Sequence, residues 1–179
     1  MDINTLVKVT SRAWSLHILS LMHSGTPGRQ AALLSASGAG RTAFAQSLSH
    51  LVALNLLERN PGHGHPLRPE YRLTTAGASF AKAADRIKQA VREQSEHPLL
   101  RRAWTVPILA VSPKPIYFKA IRTRLGPITD RALSQSLKQL ESKHWIRRDI
   151  DAAMHPPRPL YQAVNIGAQI SDAVGLGIS

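Results

Sequence analysis

Cysteine is absent from this 179-residue chain, which excludes disulfides, thiolate nucleophiles, Cys-ligated zinc and thiol-based redox sensing. Aromatic residues are scarce at 5%, too few for the stacking platforms on which single-stranded nucleic acids are normally held. No window approaches the ~20 uninterrupted apolar residues of a membrane-spanning helix. The start, Met1 to Thr10, lacks a basic stretch followed by an apolar core, so a cytoplasmic location and no membrane partner are expected. Acidic residues are also few: 11 Asp and Glu face 23 Lys and Arg, a formal net charge of +12. This balance points to a polyanion, and with little capacity for base stacking the favoured one is double-stranded DNA. Apolar residues, at 43%, suffice for a packed core.

The chain repeats itself. Arg12-Ala13-Trp14 followed by Ile18-Leu19 recurs as Arg102-Ala103-Trp104 followed by Ile108-Leu109. Gln46-Ser47-Leu48 with Leu51 recurs as Gln135-Ser136-Leu137 with Leu140, and His65-Pro66, Arg68-Pro69, Tyr71 and Gly77 return as His155-Pro156, Arg158-Pro159, Tyr161 and Gly167. Order and spacing survive across small, aromatic, basic and proline positions, which two unrelated amphipathic helices would not reproduce. Each unit has the size of a small domain, and the expected division is 1–90 and 91–179. Residues 1–90 hold 10 basic and 4 acidic side chains and residues 91–179 hold 13 and 7, so each half carries a formal +6.

Within the first copy, Leu16, Ile18, Leu19 and Met22 predict a short helix after Trp14, with Ser15 as its cap. Gly25 to Gly28 breaks it. Arg29 to Ser35 reads as a second helix, Ser37-Gly38-Ala39-Gly40 as a tight turn, and Phe44, Leu48, Leu51 and Leu54 mark one face of a third. Leu56 to Asn60 and Glu70 to Thr74 then read as the strands of a hairpin. A long helix from Ala76 to about Gln94, ended by His97-Pro98, joins the units. The second copy predicts helices at Thr105 to Val111, Tyr117 to Arg124 and Asp130 to Lys143, with Thr129 as an N-cap. Strands near Ile146 to Ile150 and Leu160 to Val164 and a short closing helix complete it. The fold class is mainly α with small β-hairpin wings: two tandem winged helix-turn-helix modules joined by a long helix. In such modules the third helix enters the major groove.

Trp104-Thr105 with Ile108-Leu109 resembles the opening helix of the HxlR-type winged-helix regulators, relatives of the MarR group. The run Ile128-Thr129-Asp130-Arg131-Ala132-Leu133-Ser134-Gln135-Ser136-Leu137-Lys138-Gln139-Leu140-Glu141 is similar to that family's recognition-helix segment. In the first copy the wing carries the resemblance, Leu56-Leu57-Glu58-Arg59 through Glu70 to Gly77. The resemblance implies a DNA-binding transcriptional regulator. Such proteins usually have one module per chain and dimerise through terminal helices, and many carry a cysteine near the N-terminus that is missing here. Two modules in one chain therefore resemble a covalently fused dimer. A homodimer of whole chains stays open, and the resemblance is silent on a small-molecule effector.

Candidate DNA-contacting residues follow from the helix faces. Arg131, Ser134, Gln135 and Lys138 belong to the third helix of the second copy, where Arg reads guanine edges, Gln reads adenine edges and Lys holds phosphate. Arg41, Thr42, Gln46, Ser49 and His50 occupy the matching face of the first copy. Arg68 and Arg158 sit on proline-bounded wings, poised for phosphate or minor groove, or else packed on Tyr71 or Tyr161. Gly38-Ala39-Gly40-Arg41 lacks the Lys-Ser/Thr of a phosphate loop, and His63-Gly64-His65 has no third ligand nearby, so neither a cofactor nor a metal is expected. No paired carboxylates or Ser/His/Asp grouping argues for an enzyme. The other reading of the architecture is a tandem winged-helix replication initiator or protein-interaction scaffold.

Overall fold

The computed structural model describes residues 1–60 and 70–176. Its first helix, α1 (Ile3–Thr10), has no counterpart in the sequence reading; Asp2 precedes it and accepts from the backbone N–H of Asn4 at 2.8 Å and of Thr5 at 3.1 Å, which satisfies donors that a helix start leaves free. By contacts the chain divides into Val9–Arg101 and a second unit made of Met1–Lys8 with the chain from Arg102 onward. The sequence repeat places that division at residues 90 and 91.

In the Val9–Arg101 unit the order is α2 (Ser15–His23), α3 (Gln30–Ser37), α4 (Arg41–Ala53), β1 (Leu57–Asn60), β2 (Glu70–Leu73), α5 (Thr75–Ala90), a 3₁₀ turn (Gln94–Glu96) and α6 (His97–Leu100). Helix α2 is the centre of this unit. It buries Leu16, Ile18, Leu19 and Leu21 and packs most extensively on α5, whose inner face is largely alanine (Ala81, Ala83, Ala84) with Phe80 and Ile87. Small side chains there let the two helices approach closely, while the larger residues fill the ends.

Ser15 does not cap α2: Trp14 holds the cap position with no side-chain hydrogen bond, and Ser15 is the first helical residue, fully buried with its hydroxyl unpartnered. Packing against the core has overridden its capping propensity. Helix α5 stops at Ala90 rather than near Gln94, because Val91 turns to an extended conformation (φ −96°, ψ 94°) and is buried. His97-Pro98 opens α6 instead of ending a helix; proline lacks only an N–H that the first turn does not use.

The second unit runs α7 (Thr105–Val111), β3 (Ile116–Tyr117), α8 (Phe118–Leu125), α9 (Asp130–Ser142), β4 (Ile146–Asp151), β5 (Arg158–Ala163) and α10 (Ile166–Val174). Every residue of α7 is buried. Tyr117, read from sequence as the start of a helix, is extended (φ −74°, ψ 152°) and pairs with Leu160, so that β3, β5 and β4 form a three-stranded antiparallel sheet in that order. In the first unit the same place holds a single bridge, Arg29 to Glu70, beside a two-stranded sheet.

Both units turn from the third helix into the wing in the same way. Helix α4 ends in a residue with positive φ, Asn55 (54°), and α9 in His144 (56°). The next N–H reaches back five residues to close the helix, Leu56 to the Leu51 carbonyl at 3.0 Å and Trp145 to the Leu140 carbonyl at 2.9 Å, a Schellman closure. The carbonyls of those same residues then accept from Thr74 N at 3.1 Å and Val164 N at 3.0 Å. Against each carbonyl lies a glycine: a Cβ at Gly77 would stand 1.8 Å from Leu56 O, and one at Gly167 would stand 1.9 Å from Trp145 O. Backbone cannot yield there as a flexible side chain could. Gly77→Ala and Gly167→Ala are therefore each expected to destabilise their unit by at least about 2 kcal/mol, read as a lower urea midpoint; a midpoint within error of wild type would show that the junction relaxes freely.

Candidate nucleic-acid interface

Helix α9 is presented by three local features. Gly126 (φ 71°) ends α8, Ile128 is buried in the turn, and the Thr129 hydroxyl accepts from Ala132 N at 3.2 Å as N-cap. Leu133, Leu137 and Leu140 then anchor the helix on the core. Arg131, Gln135 and Lys138 point away from that stripe and are exposed, whereas Ser134 is half-buried. Asp130, favourable beside a helix N-terminus, is held by the Arg122 guanidinium of α8 at 2.6 Å. This pair is exposed on both sides, so it orients the helix start more than it stabilises the fold.

The first unit builds the same corner with weaker local chemistry. Gly38 (φ 66°) takes the left-handed position that ends α3, and Ser37 bridges the turn by donating to Leu34 O at 2.9 Å and accepting from Ala39 N at 3.2 Å. Gly40 precedes α4 without a side-chain cap. Phe44, Ser47, Leu48 and Leu51 face the core. Arg41, Thr42, Gln46 and Ser49 are exposed, while His50 is half-buried with its Nε2 3.4 Å from the Ser11 hydroxyl.

On the wings, Arg158 is exposed at the first position of β5, opposite Asp151 of β4. Among the described residues the cation–π contact is Arg101 over Trp14; none joins Arg158 to Tyr161. Asp151 accepts from the Tyr117 hydroxyl at 2.5 Å, a bond that pushes the tyrosine's pKa up and ties β3 to the far end of β4. Arg68 and His63-Gly64-His65 lie outside the described residues.

Sequence reasoning missed further exposed cations next to the α9 face: Lys119 and Arg122, three apart on α8, and Arg147 and Arg148 on β4. Arg147 is tied down by Asp149 at 2.8 Å and by Gln162 Oε1 at 3.0 Å. The spacing of Lys119 and Arg122 was the available signal, since residues three apart share a helix face. Among the described residues no group of three or more His, Asp or Glu is placed to hold a metal ion, and no helix is long and apolar enough to cross a membrane.

The family model described as HxlR-like helix-turn-helix matches the chain twice, over residues 9–98 and 99–176. Neither curated proteins nor solved structures gave a match. The two family matches follow the tandem arrangement and together span nearly all of it. Since the Thr129 hydroxyl caps α9, Thr129→Ala is expected to lower stability by about 1 kcal/mol, whereas Thr129→Ser, which keeps the hydroxyl acceptor, should change it far less. Paired denaturant titrations of the two variants read this directly, and equal effects would contradict it.

Proposed function

Because this chain belongs to the HxlR-like helix-turn-helix family, whose members are DNA-binding transcription regulators and generally non-enzymatic, we propose that it binds double-stranded DNA sequence-specifically as a single-chain pseudo-dimer. The observation that carries this reading is the presence, in one chain, of two complete helix-turn-helix corners whose exposed faces differ. Identical modules related by two-fold symmetry read palindromes. Here Arg41, Thr42, Gln46, Ser49 and His50 on α4 correspond to Arg131, Ser134, Gln135 and Lys138 on α9, so the two half-sites differ in sequence. Arg131 and Gln135 read base edges, Lys138 holds phosphate, and Arg158 reaches from its wing to phosphate or minor groove. A formal +6 on each half supplies the sequence-independent part of the affinity, which falls steeply as salt rises.

Selection of bound sequences with the intact chain, followed by sedimentation to fix stoichiometry, tests the reading. One chain on an asymmetric site is expected; two chains on a perfect palindrome would place the symmetry between chains and overturn it. On the selected site Arg131→Ala is expected to weaken binding by ~1 to 3 kcal/mol and to relax preference at one position. Equal weakening on random duplex would assign Arg131 to phosphate, and unchanged affinity in a folded variant would remove it from the interface.

A further inference from the structure

Within the Val9–Arg101 unit, behind the α3 end of the helix-turn-helix corner, is a cavity of about 120 Å³ that the DNA-binding face does not use. Its walls come from the start of α2, the end of α3, the last turns of α5 and the chain through α6. Leu16, Ile87 and Leu100 make it apolar, and Trp14 and His17 add two flat rings, their centroids 6.0 Å apart and tilted by 56°. Lys88 and Arg101 supply two cations. The Arg101 guanidinium lies 4.6 Å from the centre of the Trp14 ring, which fixes its plane and leaves its N–H groups available at the rim.

The cavity wall contains no carboxylate. The nearest acid on the same helix, Asp85, is occupied: it accepts from Ser20 at 3.1 Å, Ser24 at 3.0 Å and Gln89 at 2.6 Å. Among the described residues neither Lys88 nor Arg101 forms an ion pair. His17 registers both the burial and the unbalanced charge: desolvation first, then Lys88, His97 and Arg101, bring its pKa down to about 4. The imidazole is therefore neutral near pH 7 and able to hydrogen-bond without adding a third charge.

Among the described residues this arrangement is found in the first copy. The counterpart of His17 is Pro107, and α10 ends at Val174, the counterpart of Ala84 in the Gly77 to Gly167 register, so α10 stops short of the turn that carries Lys88 on α5. At about 120 Å³ the cavity is smaller than the ~150 Å³ that holds a benzene ring in a closed core, but its cationic rim at Lys88 and Arg101 is half-exposed, so only the ring has to lie within the apolar walls, and such walls with a few convergent polar groups are the usual form of a small-molecule site. We propose that this cavity is a binding site for a single-ring aromatic carboxylate, its ring against Ile87, Leu100 and Trp14 and its carboxylate between Lys88 and Arg101. Ser37, which bridges the α3–α4 turn, is part of the same wall, so an occupant touches the corner that sets the direction of α4. Ligand binding goes beyond the DNA-binding reading and is measured without DNA, so either can fail alone.

Titration calorimetry of the full chain with benzoate is the test, with benzamide (same ring, no charge) and acetate (same charge, no ring) as comparisons. Saturable binding of benzoate with one site per chain is expected, at least tenfold tighter than either comparison. Lys88→Gln and Arg101→Gln should each weaken benzoate about tenfold, while Lys114→Gln, an exposed cation elsewhere, should leave it unchanged. Because Arg101 also packs on Trp14, Lys88→Gln is the deciding variant should Arg101→Gln fold poorly. Equal affinity for benzoate and benzamide, equal loss in all three variants, or no saturation below about 1 mM would each overturn the proposal.

Discussion

One residue in each unit holds three elements in place through its backbone alone. The N–H of Leu56 closes α4, its carbonyl receives the returning strand at Thr74, and Gly77 lets α5 press onto that carbonyl; Trp145 does the same for α9, β5 and α10. The angle between third helix and wing, and the seat of the helix that follows, are thereby set by one peptide group that cannot be displaced without breaking two hydrogen bonds. Side chains reinforce the junction differently in each copy. Thr74 donates to the Asn55 carbonyl at 2.8 Å, whereas Asn165 donates to the His144 carbonyl at 3.0 Å. The backbone solution is shared and the side-chain support has diverged.

Around this common frame the two units have become unlike. Helix α9 has a threonine cap, an N-terminal aspartate held by Arg122 and an all-leucine inner stripe; α4 has a glycine cap and a buried serine in its stripe. The wing sheet gains a third strand in the second unit, where Ile116 and Tyr117 pair with β5, while the first unit has one bridge and a glycine, Gly28, pressed against Tyr71. Conversely, the first unit has the longer closing helix, and with it the cavity between α2 and α5. Local order is therefore concentrated at the α9 corner, and the space for a ligand is concentrated behind the α4 corner. A chain carrying two copies is free to divide such roles, because an exact symmetric dimer must repeat every change twice.

Electrostatics acts on the two regions in different ways. On the outer faces the cations are exposed and strongly screened, so their effect on a polyanion is long-ranged only at low salt and sums over many weak contacts. In the cavity the same charges sit beside apolar walls, where screening is weaker and a single carboxylate would be felt more strongly. His17, neutral near pH 7 under that combined influence, is the internal sign of this difference.

By itself the sequence determined the tandem repeat, the order of helices and hairpin in each copy, the Thr129 cap, the leucine stripe of α9 and the exposed positions of Arg131, Gln135 and Lys138. These rest on rules that act within one or two turns of chain, such as helical periodicity, capping and glycine turns, so neighbouring residues suffice to read them. Tertiary structure alone decided the rest. Ser15 has the chemistry of a cap but is buried by α2's place in the core; Tyr117 reads as helical but is drawn into β3 by Leu160, more than forty positions away. The carbonyl facing each conserved-in-repeat glycine, the pairing of Arg122 with Asp130, and the meeting of His17, Lys88 and Arg101 around one cavity likewise join residues whose separation along the chain carries no periodic signal. Packing chooses such partners from the whole chain at once, and no local pattern records the choice.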